Sequence, residues 1–206
     1  MYNLPHTTEI KKQLPKKAIY AKFNMSTSER EHFDVDVSRI DIVAIVSTKT
    51  VPALAEGEEV KEFYVLALQL KRKEYDAKNI TMLTKLISHK MVFALHYEDK
   101  VQFAISHTKL ITSGWSDAEE AVLPLLGLNL DAVWENIVKS IGRIEVEEGN
   151  TLTEQIKANE EQAKLLAQIK TLERKMASEK QPRRKREYFE QIKKLKIQCH
   201  SERNKV

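Results

Sequence analysis

The stretch EFYVLALQLK, residues 62–71, decides the fold. Side chains alternate along an extended chain, so Tyr64, Leu66, Leu68 and Leu70 share one face and Val65, Ala67, Gln69 and Lys71 the other. Toward the C-terminus, residues 79–89 read as a helix with Ile80, Leu83, Leu86 and Ile87 as its buried stripe. Residues 90–97 read as a strand, Glu98-Asp99-Lys100 as a tight turn, and residues 101–106 and 109–112 as further sheet. Toward the N-terminus, residues 47–61 hold Pro52 and Gly57 and read as a long hairpin loop. Before them, Val35 and Val37 alternate with Asp34 and Asp36 in a strand spanning residues 33–46. The alternation slips at Ser38-Arg39 and resumes at Ile40, Ile42, Ala44 and Val46, which suggests a β-bulge.

The flanks are expected to cover this sheet. Residues 6–15 read as a short helix, capped by Thr7 or Thr8, with Glu9 in its first turn and Pro15 at its end. Residues 18–23 read as a strand, and residues 24–31 as a loop or short helix. Residues 115–120 read as a turn into a short helix that ends near Pro124. Asp131 is expected to cap a helix that buries Val133, Trp134, Ile137, Val138 and Ile141 and stops at Gly142. Residues 144–147 read as a short strand. Residues 8–21 echo residues 81–94, with identities at Thr8/Thr81, Lys12/Lys85, Lys17/Lys90 and Ala21/Ala94. A duplicated helix–strand–strand unit is one reading of the echo, and two similar corners the other. The fold class expected is α+β: a mainly antiparallel sheet flanked by helices over residues 1–149, with Gly149-Asn150 as its C-terminal boundary.

Residues 150–206 read as a C-terminal helical hairpin. Leu165, Ile169, Leu172 and Met176 step by four, three and four residues, and Tyr188, Ile192, Leu195 and Cys199 repeat the spacing beyond a break at Pro182. Such narrow seams are of the coiled-coil kind. They can close on each other within the chain or dock on another protein. Two helices alone bury little, so docking on a partner or on a second copy is expected. The bend carries Lys180, Arg183, Arg184, Lys185 and Arg186. Residues 180–206 hold ten Lys/Arg and three Glu, a charge of +7, which leaves −3 for the rest of a chain whose net charge is +4. Positive charge concentrated at one place points to a polyanion, with DNA backbone the first expectation and an acidic protein another; a solvated helix start that keeps the protein soluble is the remaining reading. No aromatic side chain interleaves the cluster, so base stacking there is not expected.

Catalytic signals are sparse. Metal nucleases with a Pro-Asp…(Asp/Glu)-x-Lys core need an acid on one strand, an acid-x-lysine on its neighbour and magnesium. Asp36, Gln69 and Lys71 follow that order, with Asp34 as a spare ligand, but glutamine stands where the second acid belongs. The expectation is therefore no catalytic residues, no cofactor and no metal, with magnesium only under the nuclease alternative. His107 and Lys109 are a lone pair at a strand end, the six histidines lack metal-ligand spacing, and Cys199 has no activating neighbour. Trp115 and Trp134 read as core anchors. Glycine-rich phosphate loops and the serine nucleophile elbow are absent. One cysteine allows no internal disulfide and suits a reducing compartment. No apolar run approaches a membrane span and no signal-peptide pattern opens the chain, so a cytoplasmic location is expected.

Several stretches resemble domain-of-unknown-function family 4391. They are Asn3-Leu4-Pro5, LPKKAIYAKF (14–23), AEGEEV (55–60), HTKL (107–110), GLNLDAVWEN (127–136) and EKQPRRK (179–185). The resemblance implies a setting: small prokaryotic proteins encoded beside a helicase and an adenine-type DNA methyltransferase in restriction or phage-defence islands. It supplies no catalytic residues. The expected function is a non-enzymatic adaptor, with Leu165, Ile169, Leu172, Met176, Tyr188, Ile192 and Leu195 meeting a helicase or methyltransferase subunit and the bend meeting DNA. A homo-oligomerisation module without nucleic-acid binding is the remaining alternative.

Overall fold

A computed structural model describes residues 1–203. The chain divides into two compact units, Met1–Arg143 and Ile144–Val206.

The first unit is α+β. Strands β1 (Glu9–Gln13), β2 (Val37–Ser47), β3 (Glu62–Leu70), β4 (Lys90–Tyr97), β5 (Lys100–Ser106) and β6 (Leu110–Thr112) lie side by side in that order, and a short β7 (Ser116–Asp117) pairs with β5. All neighbours are antiparallel except β3 and β4. That parallel pair needs a crossover, which α3 (Ala77–Leu83) supplies. The sheet is therefore mainly antiparallel, as the alternation in residues 62–71 and 90–106 implies. The slip in β2 is real: its register on β3 shifts between Val37 and Arg39, and again between Ile42 and Ala44.

The N-terminal elements differ from expectation. Residues 6–15 are no helix: after a single 3-10 turn (His6–Thr8) comes edge strand β1. Residues 18–23 are no strand: α1 spans Lys16–Lys22, and Pro15 opens it instead of closing an earlier helix. Ile19 is buried, with Tyr20 and Phe23 packed against the core, a helical i, i+1, i+4 stripe that a short apolar run cannot distinguish from a strand. α2 spans Thr27–Asp36. It opens on a capping box in which Ser26 Oγ accepts from the Glu29 N–H at 3.3 Å and Glu29 accepts from the Ser26 N–H at 2.7 Å. Asp34 and Asp36 thus sit on a helix, and Val35 is exposed. The echo at residues 8–21 is not a duplication, because the first copy runs strand then helix and the second helix then strand.

Ile40, Ile42, Leu66, Leu68, Leu70, Phe93 and Leu95 form one sheet face, covered by Ile19, Phe33, Ile80 and Leu83 from α1, α2 and α3. The opposite face is covered at one end by α4 (Leu130–Gly142), where Trp134 packs on Phe63 with ring centroids 5.6 Å apart. Asn129, not Asp131, caps α4, accepting from the Ala132 N–H at 2.8 Å. Beyond Gly142 the helix closes on Arg143 in the left-handed conformation. Residues 144–147 form no strand, and no helix follows Trp115 before α4.

The second unit contains α5 (Leu152–Ser178) and α6 (Pro182–Arg203), which pack on each other. A second capping box, Thr151 with Glu154, starts α5.

Candidate functional site

Three residues, Glu179-Lys180-Gln181, turn the chain from α5 into α6. Glu179 stabilises the bend itself: its Oε1 accepts the N–H groups of Lys180 at 2.9 Å and Gln181 at 3.0 Å. Pro182 then takes the first helical position, where a missing N–H loses nothing. Lys180, Arg183, Arg184, Lys185 and Arg186 are all exposed. Arg183 lies 3.5 Å from Glu187 one turn on. Lys180, Arg184, Lys185 and Arg186 make no ion pair among the described residues. No acidic residue occupies the first turn of α6. Cations there oppose the helix dipole, at roughly 0.3–1 kcal/mol each at low ionic strength. The bend therefore holds a positive potential that its own hairpin does not neutralise.

The seam residues meet each other. Leu165 and Ile169 on α5 and Ile192 on α6 are buried, and Leu172, Met176, Tyr188 and Leu195 are half-buried along the same line. Lys196 Nζ binds Glu173 Oε1 at 3.0 Å beside them. The buried three are thus used inside the protein and are not free to dock on a second one. What stays open is a groove between the helices, lined by Ala167, Thr171, Leu172 and Leu195, and the exposed apolar side chains Leu166, Phe189 and Ile197.

The nuclease constellation is brought together only in part: the Lys71 N–H donates to the Asp36 backbone carbonyl at 2.8 Å, but the side chains do not form one site. Asp36 is buried at the end of α2, where one oxygen accepts from Arg72 Nε at 2.6 Å and the other from the Asp76 N–H and Asn79 Nδ2, both at 2.8 Å. That carboxylate knits the β3–α3 connection, and both of its oxygens are committed to protein donors. Asp34 binds Lys16 Nζ at 2.5 Å and the Tyr20 hydroxyl at 2.6 Å. Burial pushes its carboxyl up, but these two donors outweigh that and hold it below its ordinary range. Lys71 follows the end of β3, and its charge acts on Asp34. Gln69 is on the opposite sheet face, in a cavity with Asp41 and His96. Among the described residues no group of three or more His, Cys, Asp or Glu side chains could hold a metal. His107 is half-buried, its Nδ1 lacks a partner, and burial lowers its pKa. Trp134 is buried as a core anchor and Trp115 packs on the core, as expected.

Sheet and hairpin together define an α+β protein with a cationic helical hairpin. A family model described as "Domain of unknown function (DUF4391)" matches residues 2–198, nearly the whole chain, and the chain belongs to that family. No curated protein and no solved structure matches it. Among the described residues no helix is long and apolar enough to cross a membrane.

Proposed function

We propose that this protein is a non-catalytic accessory subunit of a DNA-modifying or phage-defence assembly, holding the phosphate backbone of DNA on the bend of its hairpin. The observation that supports this reading is the set of exposed cations at residues 180–186, at a helix start with no acid. Four of them have no carboxylate partner among the described residues. Cations of this kind position nucleic acid without reading its sequence. The second contact, with a helicase or methyltransferase subunit, falls to the inter-helix groove and to Leu166, Phe189 and Ile197, which the seam leaves open.

Titration of the full chain with labelled duplex DNA at several salt concentrations tests the proposal. Neutralising up to five phosphates predicts a slope of log K against log salt no steeper than about −4.5. Reversing Arg183, Arg184, Lys185 and Arg186 to Glu is expected to abolish binding with the helical content unchanged. Undiminished binding by the reversed variant would overturn the reading.

A further inference from the structure

The sheet face that α4 covers at one end carries a cavity at the other, beside the N-terminal residues Met1 and Tyr2. Register places Gln13 beside Asp41 and Asp41 beside Ala67, then Arg39 beside Gln69 and Gln69 beside His96. These side chains stand in two rows across four strands. With Met1, Lys11 and Val43 they line a cavity of about 530 Å³. Small-molecule sites commonly measure about 300–1,000 Å³.

Part of the polar lining is uncommitted. The side chains of Lys11, Gln13 and Gln69 make no hydrogen bond or ion pair among the described residues. Arg39 forks onto Asp41 at 2.6 and 2.9 Å, the Met1 ammonium is balanced by Glu9 at 3.0 Å, and Lys11 therefore leaves the cavity net positive. His96 is oriented from behind, its Nε2 2.5 Å from the Tyr2 hydroxyl. Burial lowers the His96 pKa and raises that of Tyr2, which disfavours charge on either ring. Val43 and Ala67 supply the aliphatic floor of the lining.

We infer that this cavity binds a nucleoside monophosphate unit, with the heterocycle on the Val43–Ala67 floor. Lys11 and Arg39 answer the phosphate. Gln13 and Gln69 each offer a donor and an acceptor, which suits a base edge carrying both. A divalent cation is a poor match, since Asp41 is the single carboxylate in the lining. The unit is either a free mononucleotide or the terminal nucleotide of a 5′-phosphorylated strand, since both present the same chemistry.

Calorimetric titration of the full chain with AMP, GMP, CMP and UMP, a 5′-phosphorylated oligonucleotide, and inorganic phosphate tests this. Saturable one-to-one binding of a mononucleotide or of the phosphorylated end is expected. It should weaken by about tenfold or more in Lys11→Ala and Gln69→Glu. Ala67→Leu, which fills the floor from a half-exposed position, should block it with the unfolding midpoint unchanged. Should Ala67→Leu disturb folding, Gln69→Glu carries the test alone. Reversal of charge at the hairpin bend should leave mononucleotide binding intact, which keeps this inference separate from the proposed function. No saturable binding of any nucleotide, phosphate binding as tight as the best nucleotide, or full affinity in Gln69→Glu would each overturn the inference.

Discussion

The Asp131 carboxylate lies against Gly57, too close for a β-carbon at residue 57. A Cβ built on Gly57 would lie 2.4 Å from Asp131 Oδ1. The close approach lets Asp131 accept the backbone N–H groups of Glu58 at 2.6 Å, Val60 at 2.7 Å and Glu59 at 3.3 Å. It ties the β2–β3 connection to the first turn of α4. Glycine is required at 57 for room.

Gly57→Ala and Asp131→Ala should each destabilise the fold by about 1–3 kcal/mol, the scale of charge-assisted hydrogen bonds lost in place. Burial raises the Asp131 carboxyl, but the backbone donors outweigh it and the net shift is downward. A lowered folded-state pKa contributes stability above the unfolded value, about pH 4, and loses it as pH falls through the folded value. Urea unfolding should therefore show the gap between wild type and Asp131→Ala narrowing in acid. A gap independent of pH would contradict the carboxylate's role.

Asp36→Ala should destabilise by about 1–3 kcal/mol, because it removes a buried carboxylate that accepts from the Asp76 N–H and Asn79 Nδ2 and pairs with Arg72. Lys71→Ala should stay within about 0.5 kcal/mol. Chemical denaturation of both variants separates a structural carboxylate from a catalytic one, and equal small effects would count against the structural role.

Ile169→Ala and Ile192→Ala, both at buried seam positions, should each lose about 2–4 kcal/mol. Leu166→Ala and Ile197→Ala, on exposed positions, should stay within about 0.5 kcal/mol. Thermal unfolding followed in the helical circular-dichroism band measures all four. Comparable losses at the exposed positions would mean that a further surface covers them.

At the bend, Arg184→Ala should reduce the salt slope of DNA binding by about 1, the signature of one phosphate contact. Arg183→Ala should do less, since Glu187 already shares its charge. Equal effects would show that DNA displaces the Glu187 pair.

His96 should titrate below its ordinary range in an NMR titration, because burial disfavours its charged form. With a lowered folded pKa, the stability that the neutral ring contributes is lost as pH falls below the unfolded imidazole value of about 6.5. Tyr2→Phe removes the 2.5 Å partner and should cost about 1 kcal/mol. An unshifted His96 would show the ring open to water.

Some elements are legible in the sequence because their signal is local. The alternation of residues 62–71, the apolar run at 90–97 and the stripe at Val133, Trp134, Ile137, Val138 and Ile141 each carry their own period, and each forms the element expected. The capping boxes at Ser26 and Thr151 are just as local. The Ser26 box is the signal that makes residues 27–36 a helix and takes Asp34 and Asp36 off a strand, against the alternation that Val35 and Val37 suggest. Residues 9–13 and 16–22 are not legible in this way. Their apolar spacing suits either period, and the free edge of β2 recruits the first as a strand.

By itself the sequence determined strands β2 to β6 in outline, the two-helix tail with its seam and the cations at its bend, because periodicity and charge density belong to consecutive residues. Only the tertiary structure decided that Asp36 would be locked into the β3–α3 connection, that the seam would close on itself, and that Lys11, Arg39, Gln69 and His96 would share one cavity. Those outcomes depend on strand register and helix docking. Both are set by hydrogen bonds and burial between residues far apart in the chain, which no local pattern encodes.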